Sequence, residues 1–536
     1  GDIPQKVRPS CRGVSPYLNT FKGVKPMKTK ITALILILTL FLPTIAFAVE
    51  IPGYEGGIKN ENNYKEIIFI TGEPIEMEGT LTIKDNSGSG RGNSRNTKKT
   101  EDNIQQKSYT YTYRLKNIKS GASLDRTIKL TEIINKQGKQ GTSQMVLDSY
   151  TETLKINGKT YKVDKNDYQW NQSQILYETG LVDYYSGEWS ARKTYKLNKG
   201  AEIITVYTMG ELVGYESPWS DTQTQSLNYI IEYQDKLEDH SREGTATVET
   251  SYNRTKDFNY QENAPKQIPF HGGFQLSEKQ DNVLKYRYDL AKEDGKGRNV
   301  GQKSTSIDTN PKNLRLPIPE IRDIRGLDSE WDILLIASMN GFPYTAKNLG
   351  PQTAVSRGDF ARALANTMEI EIPEIEDSST KSTRSNRNSR SSRNAKGKEQ
   401  EQEKLRYIDV PKNHRNYKYI EGVSAQYIME GVGKGRFEPD RELTKAEATT
   451  ILIRLLGFQN RAPIGKYSTG FKDDSSIPNW AKDHVYMAKE LKIIPSTEYF
   501  NPNKAITKEE TAVLLVSFIE YLQNDLRYDY RENLLN

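Results

Sequence analysis

Tyr407-Ile408-Asp409-Val410-Pro411, Gly431-Val432-Gly433-Lys434-Gly435-Arg436-Phe437-Glu438-Pro439 and Thr444-Lys445-Ala446-Glu447 follow one another in a single stretch of this chain. Two more segments line up with it. One reads Phe471-Lys472-Asp473, Trp480-Ala481, Phe500-Asn501-Pro502 and Thr507-Lys508-Glu509-Glu510. The other reads Ile321-Arg322-Asp323-Ile324, Leu349-Gly350-Pro351 and Ser356-Arg357-Gly358-Asp359. Leu349, Phe437 and Phe500 each stand seven positions before the Ser/Thr, and Pro351, Pro439 and Pro502 each stand five before it. Asp323, Asp409 and Asp473 precede it by 33, 35 and 34 positions. Agreement at so many positions marks an internal repeat, in which each copy is one supersecondary unit that stacks on its neighbours.

Each copy has a readable physics. A Ser/Thr followed three residues later by an acid is a capping box, in which the hydroxyl takes the N3 amide and the acid returns to the cap amide. Thr444/Glu447 and Thr507/Glu510 fit it, and Ser356/Asp359 is a shorter variant. Apolar runs follow: Ile451, Leu452, Leu455 and Leu456, closed by Gly457, and Val513, Leu514, Val516 and Phe518. In the third copy Trp480, His484, Ala488 and Leu491 fall on one side of a helix, with His484 read as a packed or surface histidine. Arg357, Lys445 and Lys508 occupy the first helical position, where a cation opposes the helix dipole at a cost of ~0.3–1 kcal/mol. Three cations at three equivalent helix starts suggest anion binding by amides and charge together. The competing explanation is a solvated side chain whose stem covers its neighbours.

The pattern closely resembles the S-layer homology (SLH) domain family, over about residues 318–522. The resemblance implies an all-α pseudo-threefold bundle of three repeats. Its grooves would hold an anionic secondary cell wall polysaccharide, often through an acidic, ketal-pyruvylated sugar. It implies that Arg357, Lys445 and Lys508 contact the acid, and that Asp323, Asp409, Asp473, Trp480, Gly431 and Gly435 shape the pockets. Other surface-layer proteins are a further partner class. The copies also depart from the family pattern. Repeat one has Gly358-Asp359 for Ala-Glu, and Trp331 does not align with the family's tryptophan. Repeat two has Arg415 where that tryptophan is expected, and repeat three lacks the paired glycines.

Upstream of the repeats the chain reads as β. Leu284, Tyr286, Tyr288 and Leu290 alternate with Lys285, Arg287 and Asp289, and Tyr109, Tyr111 and Tyr113 alternate with Thr110 and Thr112. Leu154 to Val163 reads as a hairpin about an Asn157-Gly158 type I′ turn. Residues 203–207, 227–233 and 245–252 are further strands. An antiparallel sandwich or barrel, in one or two domains, is expected. Two low-complexity stretches interrupt the chain. Residues 85–106 read as a mobile hairpin loop. In residues 378–404 Lys381, Arg384, Arg387, Arg390, Arg393 and Lys396 recur every third residue, read as a solvated linker or a basic arm touching wall phosphates or carboxylates.

Met27-Lys28-Thr29-Lys30, the apolar Ile31–Leu42 and Ala46-Phe47-Ala48 have the three-part layout of a secretory signal peptide. The apolar run is shorter than the ~20 residues that span a bilayer. Cys11 is the chain's one cysteine and lies ahead of this leader, so the mature chain from Val49 is expected to hold no disulfide and no Cys-ligated metal. The 536 residues fit about three or four domains. A mean hydropathy of −0.76 excludes a polytopic membrane protein. The net charge of +6 is misleading: residues 1–48 hold seven cations and one acid, leaving 76 − 7 = 69 basic against 70 − 1 = 69 acidic residues. An exported chain of zero mature charge is not expected to bind nucleic acid.

The expected organisation is an upstream segment (1–26), a signal peptide (27–48), a β-rich region (49–316), repeat one (317–371), a basic insert (372–404), repeat two (405–460), repeat three (468–522) and a tail (523–536). No His-Glu-x-x-His, Gly-x-Ser-x-Gly or phosphate-binding loop is present, and His240 and His271 lie far apart, so no catalytic residue, metal or cofactor is assigned. Trp170, Trp189 and Trp219 are either core or a sugar-stacking face. The reading is an exported surface protein, held non-covalently on a bacterial cell wall or S-layer, with a structural, assembly or adhesive β region. The alternative is a wall-anchored polysaccharide- or peptidoglycan-acting enzyme with catalysis in the β region.

Overall fold

A computed structural model describes residues 56–86, 104–197, 201–235, 240–261, 272–293, 295–343, 347–373 and 405–531. The leader, most of the 85–106 stretch, His271 and the basic insert from 374 onward lie outside the described residues. Within 85–106, Asp85 ends one strand and Ile104 begins the next.

The β region is one sheet of fourteen antiparallel strands. They are β1 (Ile58–Lys59), β2 (Tyr64–Ile68), β3 (Ile75–Asp85), β4 (Ile104–Asn117), β5 (Ala122–Gln137), β6 (Gln140–Ile156) and β7 (Lys159–Glu178). They continue as β8 (Asp183–Leu197), β9 (Glu202–Glu216), β10 (Ser220–Asp235), β11 (His240–Gln261), β12 (Gly273–Ala291), β13 (Arg298–Ile307) and β14 (Lys312–Pro317). Each strand from β1 to β12 pairs with the next, and β14 returns to pair with the start of β12. The expected turn between β6 and β7 is present, with Asn157 at φ 49° and Gly158 at φ 73°.

The sheet curls back on itself. Asn60 donates to Asp308 O at 2.9 Å and Lys65 to Ser306 O at 3.2 Å, so the first strands meet the thirteenth. Phe69, just past β2, packs on Tyr229 of β10 and Tyr286 of β12, with ring centroids 5.5 and 6.2 Å apart. The result is a near-closed barrel rather than a sandwich. The strands alternate between its two faces: Ile75 and Met77 of β3 point inward while Glu76, Glu78, Thr80, Thr82 and Lys84 face water. Apolar side chains fill the inside and polar ones cover the outside, the reverse of a barrel that faces lipid.

One polar cluster lies inside the barrel. The Arg126 guanidinium donates to both Glu66 oxygens at 2.8 and 2.9 Å and through Nε to Glu152. Tyr64 donates to Glu66, and Tyr150 and Tyr195 donate to Glu152, with Lys193 3.5 Å away. Two cations face two carboxylates, so the buried group is neutral. Burial alone would push the Glu152 carboxyl up, but Arg126, Lys193 and the two tyrosines hold it far below the carboxylate range.

The C-terminal region is helical: α1 (Glu330–Ser338), α2 (Arg357–Thr367), α3 (Tyr417–Ala425), α4 (Lys445–Leu456), α5 (Asn479–Glu490), α6 (Lys508–Asn524) and the short α7 (Leu526–Asp529). Each repeat supplies a pair. The first helix of each packs on the second helix of the repeat before it: α3 on α2, α5 on α4, and α1 on α6. The cycle closes in the backbone. Leu443 N donates to Val355 O, Ile506 N to Leu443 O and Val355 N to Ile506 O, at 2.8–2.9 Å.

The long strands serve two cores. One fills the barrel. The other is shared: Leu181, Val182, Tyr215, Trp219 and Phe274 of the β region are buried together with the inward faces of the helices. Among the described residues no helix is long and apolar enough to cross a membrane.

Candidate functional site

The three repeat aspartates do the same thing three times. Asp323 accepts the amides of Leu349 and Gly350 at 2.8 and 2.7 Å. Asp409 accepts those of Phe437 and Glu438 at 2.9 and 2.8 Å, and Asp473 those of Phe500 and Asn501 at 2.9 and 2.7 Å. The second residue of each pair is left-handed, with Gly350 at φ 70° and Glu438 and Asn501 both at 57°. A non-glycine residue there is strained, and a charged acceptor for two adjacent amides offsets that strain. Burial would raise the Asp323 carboxyl, yet the two amide bonds take it below its ordinary value.

The helix starts α2, α4 and α6 are built on these loops. Ser356, Thr444 and Thr507 each accept the N3 amide. The return bond from the acid is complete for Glu447 and Glu510, as the spacing predicts. The first two amides of each helix are not open. Arg357 N donates to Arg441 O, Lys445 N to Lys504 O and Lys508 N to Thr353 O, at 2.8–3.0 Å. Gly358, Ala446 and Glu509 donate to the carbonyls of Pro439, Pro502 and Pro351. The dipole argument counted these amides as free for an anion. They are taken by carbonyls of the neighbouring repeat, which are backbone groups and leave no trace in side-chain identity.

The three cations differ from one another. Arg357 is 7% exposed. It donates to Phe437 O at 3.0 Å and Glu430 O at 2.9 Å, and lies 5.0 Å over the Phe437 ring. Lys508 donates to Leu349 O at 2.6 Å, the equivalent carbonyl of the next interface. Lys445 instead sits 3.4 Å from Glu510, a carboxylate it shares with Lys504 at 3.2 Å. Each cation therefore crosses from one repeat to the next. Arg357 is a buried strut, while Lys445 and Lys504 keep part of their side chains in water.

Gly431 and Gly435 lie in a tight turn pinned by the bond from Ile408 N to Gly435 O. A Cβ at Gly431 would stand 2.5 Å from Arg436 O and 2.7 Å from the Tyr407 ring, and Gly435 is at φ 67°. Gly431 has no room for a Cβ, and glycine takes the left-handed turn at Gly435 without strain. Trp480 is 51% exposed at the start of α5, on the side that one and two turns further along buries His484 and Ala488. Counted back from the left-handed residues that end α1, α3 and α5 (Asn340, Tyr427 and Lys492), its counterparts are Asp328 and Arg415. Arg415 pairs with Asp359 of the preceding repeat at 2.9 Å. Trp331 serves elsewhere, packed on Tyr260 and Phe274 of the β region.

The sugar-stacking reading of the β-region tryptophans fails for two of them. Trp189 is 6% and Trp219 1% exposed, and both belong to cores. The polar contacts joining the β region to the helices were missed altogether. Trp219 Nε1 donates to Thr367 O at 3.1 Å, Tyr184 donates to Leu456 O at 3.0 Å, and Thr179 and Ser220 donate to Leu455 O and Leu522 O. Nothing in a local pattern marks a hydroxyl whose partner is a carbonyl some three hundred residues away.

Residues 406–449 and 470–512 match the S-layer homology domain family. The chain is 32% identical over 24% of its length to an endoglucanase of Bacillus sp. (strain KSM-635), covering 13% of that protein. It is 25% identical over 32% of its length to the surface-layer 125 kDa protein of Lysinibacillus sphaericus, covering 12% of it. It is 33% identical over 18% of its length to a cellulosome-anchoring protein of Acetivibrio thermocellus, covering 22% of it. The chain thus spans less than a quarter of each of these relatives. Residues 317–371 lie outside the matched segments but repeat their aspartate clamp, helix cap and loop bonds. By these repeats, the chain is an S-layer homology domain protein of the cell surface.

Proposed function

We propose that the protein is exported and held non-covalently on the bacterial cell wall by its repeats, which act as one pseudo-threefold bundle and bind an anionic secondary cell wall polysaccharide. The observation that carries this reading is the recurrence of one assembly at three helix starts. Each has a cation reaching across a repeat boundary beside an aspartate-clamped loop. Lys445, Lys504 and Lys508 supply the charge that an acidic sugar requires, and Trp480, exposed at the start of α5, supplies a ring surface. Asp323, Asp409, Asp473, Gly431 and Gly435 act through the loops they hold, and Arg357 through the wall it braces.

The β region is read as a structural, assembly or adhesive module. Its one buried carboxylate pair among the described clusters, Glu66 and Glu152, is closed inside the barrel and bonded to Arg126, which favours a packing role over hydrolysis. Relatives named as enzymes and relatives named as surface-layer proteins match only short shares of this chain, so a common anchor is the simpler account of both. The test is co-sedimentation of the full chain with purified walls, for the wild type and for the K445A/K508A double variant. Loss of pelleting by a variant with an unchanged circular dichroism spectrum supports the role of these lysines; undiminished pelleting removes it.

A further inference from the structure

A helix ends with carbonyl groups that have no partner inside it. In α2, α4 and α6, the second helices of the three repeats, that last turn is met by the β region. Trp219, between β9 and β10, donates its indole N–H to Thr367 O at the end of α2. Ser220, the next residue, donates to Leu522 O near the end of α6. Thr179 and Tyr184, flanking the β7–β8 turn, donate to Leu455 O and Leu456 O at the end of α4. Two hairpin tips therefore satisfy carbonyls at the ends of three helices.

Apolar packing surrounds these bonds. Trp219 is 1% exposed and sits in the same core as Ile333, Leu364, Leu452 and Phe518. Tyr184 stacks on Phe458 just past α4 and on Tyr530 past α7, at 6.3 and 5.9 Å. The Tyr530 hydroxyl donates to Gly214 O of β9 at 3.1 Å. Left bare, the helix ends would turn their carbonyls to water and expose a wide apolar patch.

We infer that the three repeats are not a self-sufficient module in this protein. The β7–β8 and β9–β10 hairpin tips are the missing caps of the repeat helices, and barrel and repeats fold and unfold as one cooperative unit. The other ends of the same helices carry the clamped loops and cations. The three helices then run as parallel struts from that face to the β region, which holds the barrel in a fixed orientation. This inference does not depend on what the repeats bind.

The test is thermal unfolding of the full chain, followed by far-ultraviolet circular dichroism at 222 nm for the helices and by the infrared amide I band of the sheet for the barrel. Coincident midpoints are expected. The T179V/Y184F/S220A variant nearly keeps shape and removes three donors, and should lower both midpoints together by several degrees. Two separated transitions in the wild type would overturn the inference. So would a variant in which the barrel signal shifts while the helical midpoint stays put. If the variant fails to fold, hydrogen exchange on the wild type decides instead: the last-turn amides of α2, α4 and α6 must open together with those of β9 and β10.

Discussion

Val355 and Ile506, 151 positions apart, share a backbone hydrogen bond of 2.8 Å, and each is joined by another to Leu443. These three residues immediately precede the three helix caps. The bonds run in one direction round a closed cycle, so no repeat is complete without both others.

Asp409→Ala should cost about 2–4 kcal/mol of stability, because two buried-loop amides lose a charged acceptor and Glu438 keeps its left-handed strain. Urea denaturation measures it. A cost below about 0.5 kcal/mol would mean that the aspartates are not structural clamps.

Arg357 and Lys445 occupy equivalent positions and should behave differently. Arg357→Ala removes a buried strut and leaves the Phe437 and Glu430 carbonyls without their donor, at about 2–3 kcal/mol. Lys445→Ala removes one partly exposed ion pair, at less than about 1 kcal/mol. Equal losses in denaturation midpoint would contradict the division between strut and ligand contact.

Arg126→Met leaves two buried carboxylates facing one cation, Lys193, and should destabilise the barrel by about 3–5 kcal/mol at neutral pH. In the wild type the folded Glu152 carboxyl is held below its unfolded value. Its contribution is therefore complete above the ordinary carboxylate range and is lost as pH falls through that range and below. The wild-type melting temperature should drop on acidification, and the drop should be smaller in Arg126→Met.

His484 lies against α4, and burial, with the nearby Arg454, lowers its pKa from 6.5 to about 4. The unfolded chain takes up the proton first. Stability from the neutral ring is thus full above pH 6.5 and declines as pH falls from 6.5 towards 4. His484→Leu should flatten the melting temperature between pH 7 and pH 5; an unchanged slope would show that another group titrates there.

Much of this was legible from the sequence, and the reasons differ by residue. The caps could be read because Thr444/Glu447 and Thr507/Glu510 act within one turn of chain. The Tyr109–Tyr113 alternation gave a strand because period-2 patterning is local, and all three tyrosines are buried. Closure of the sheet was not legible, since it rests on contacts such as Phe69 with Tyr286 across the barrel. The occupancy of the helix-start amides was hidden for a different reason: their acceptors, such as Arg441 O and Thr353 O, are main-chain atoms that any side chain would supply. Trp219 illustrates the limit most plainly. Its ring suited a sugar as well as a core, and only the position of Thr367 decides between them.

The central claim is that the repeats hold the chain on an anionic wall polymer. The most direct measurement is co-sedimentation of the full chain with purified cell walls, before and after acid extraction of the non-peptidoglycan polymer. The account predicts that pelleting is strong on intact walls and vanishes after extraction. Equal pelleting on both walls, or none on either, would contradict it.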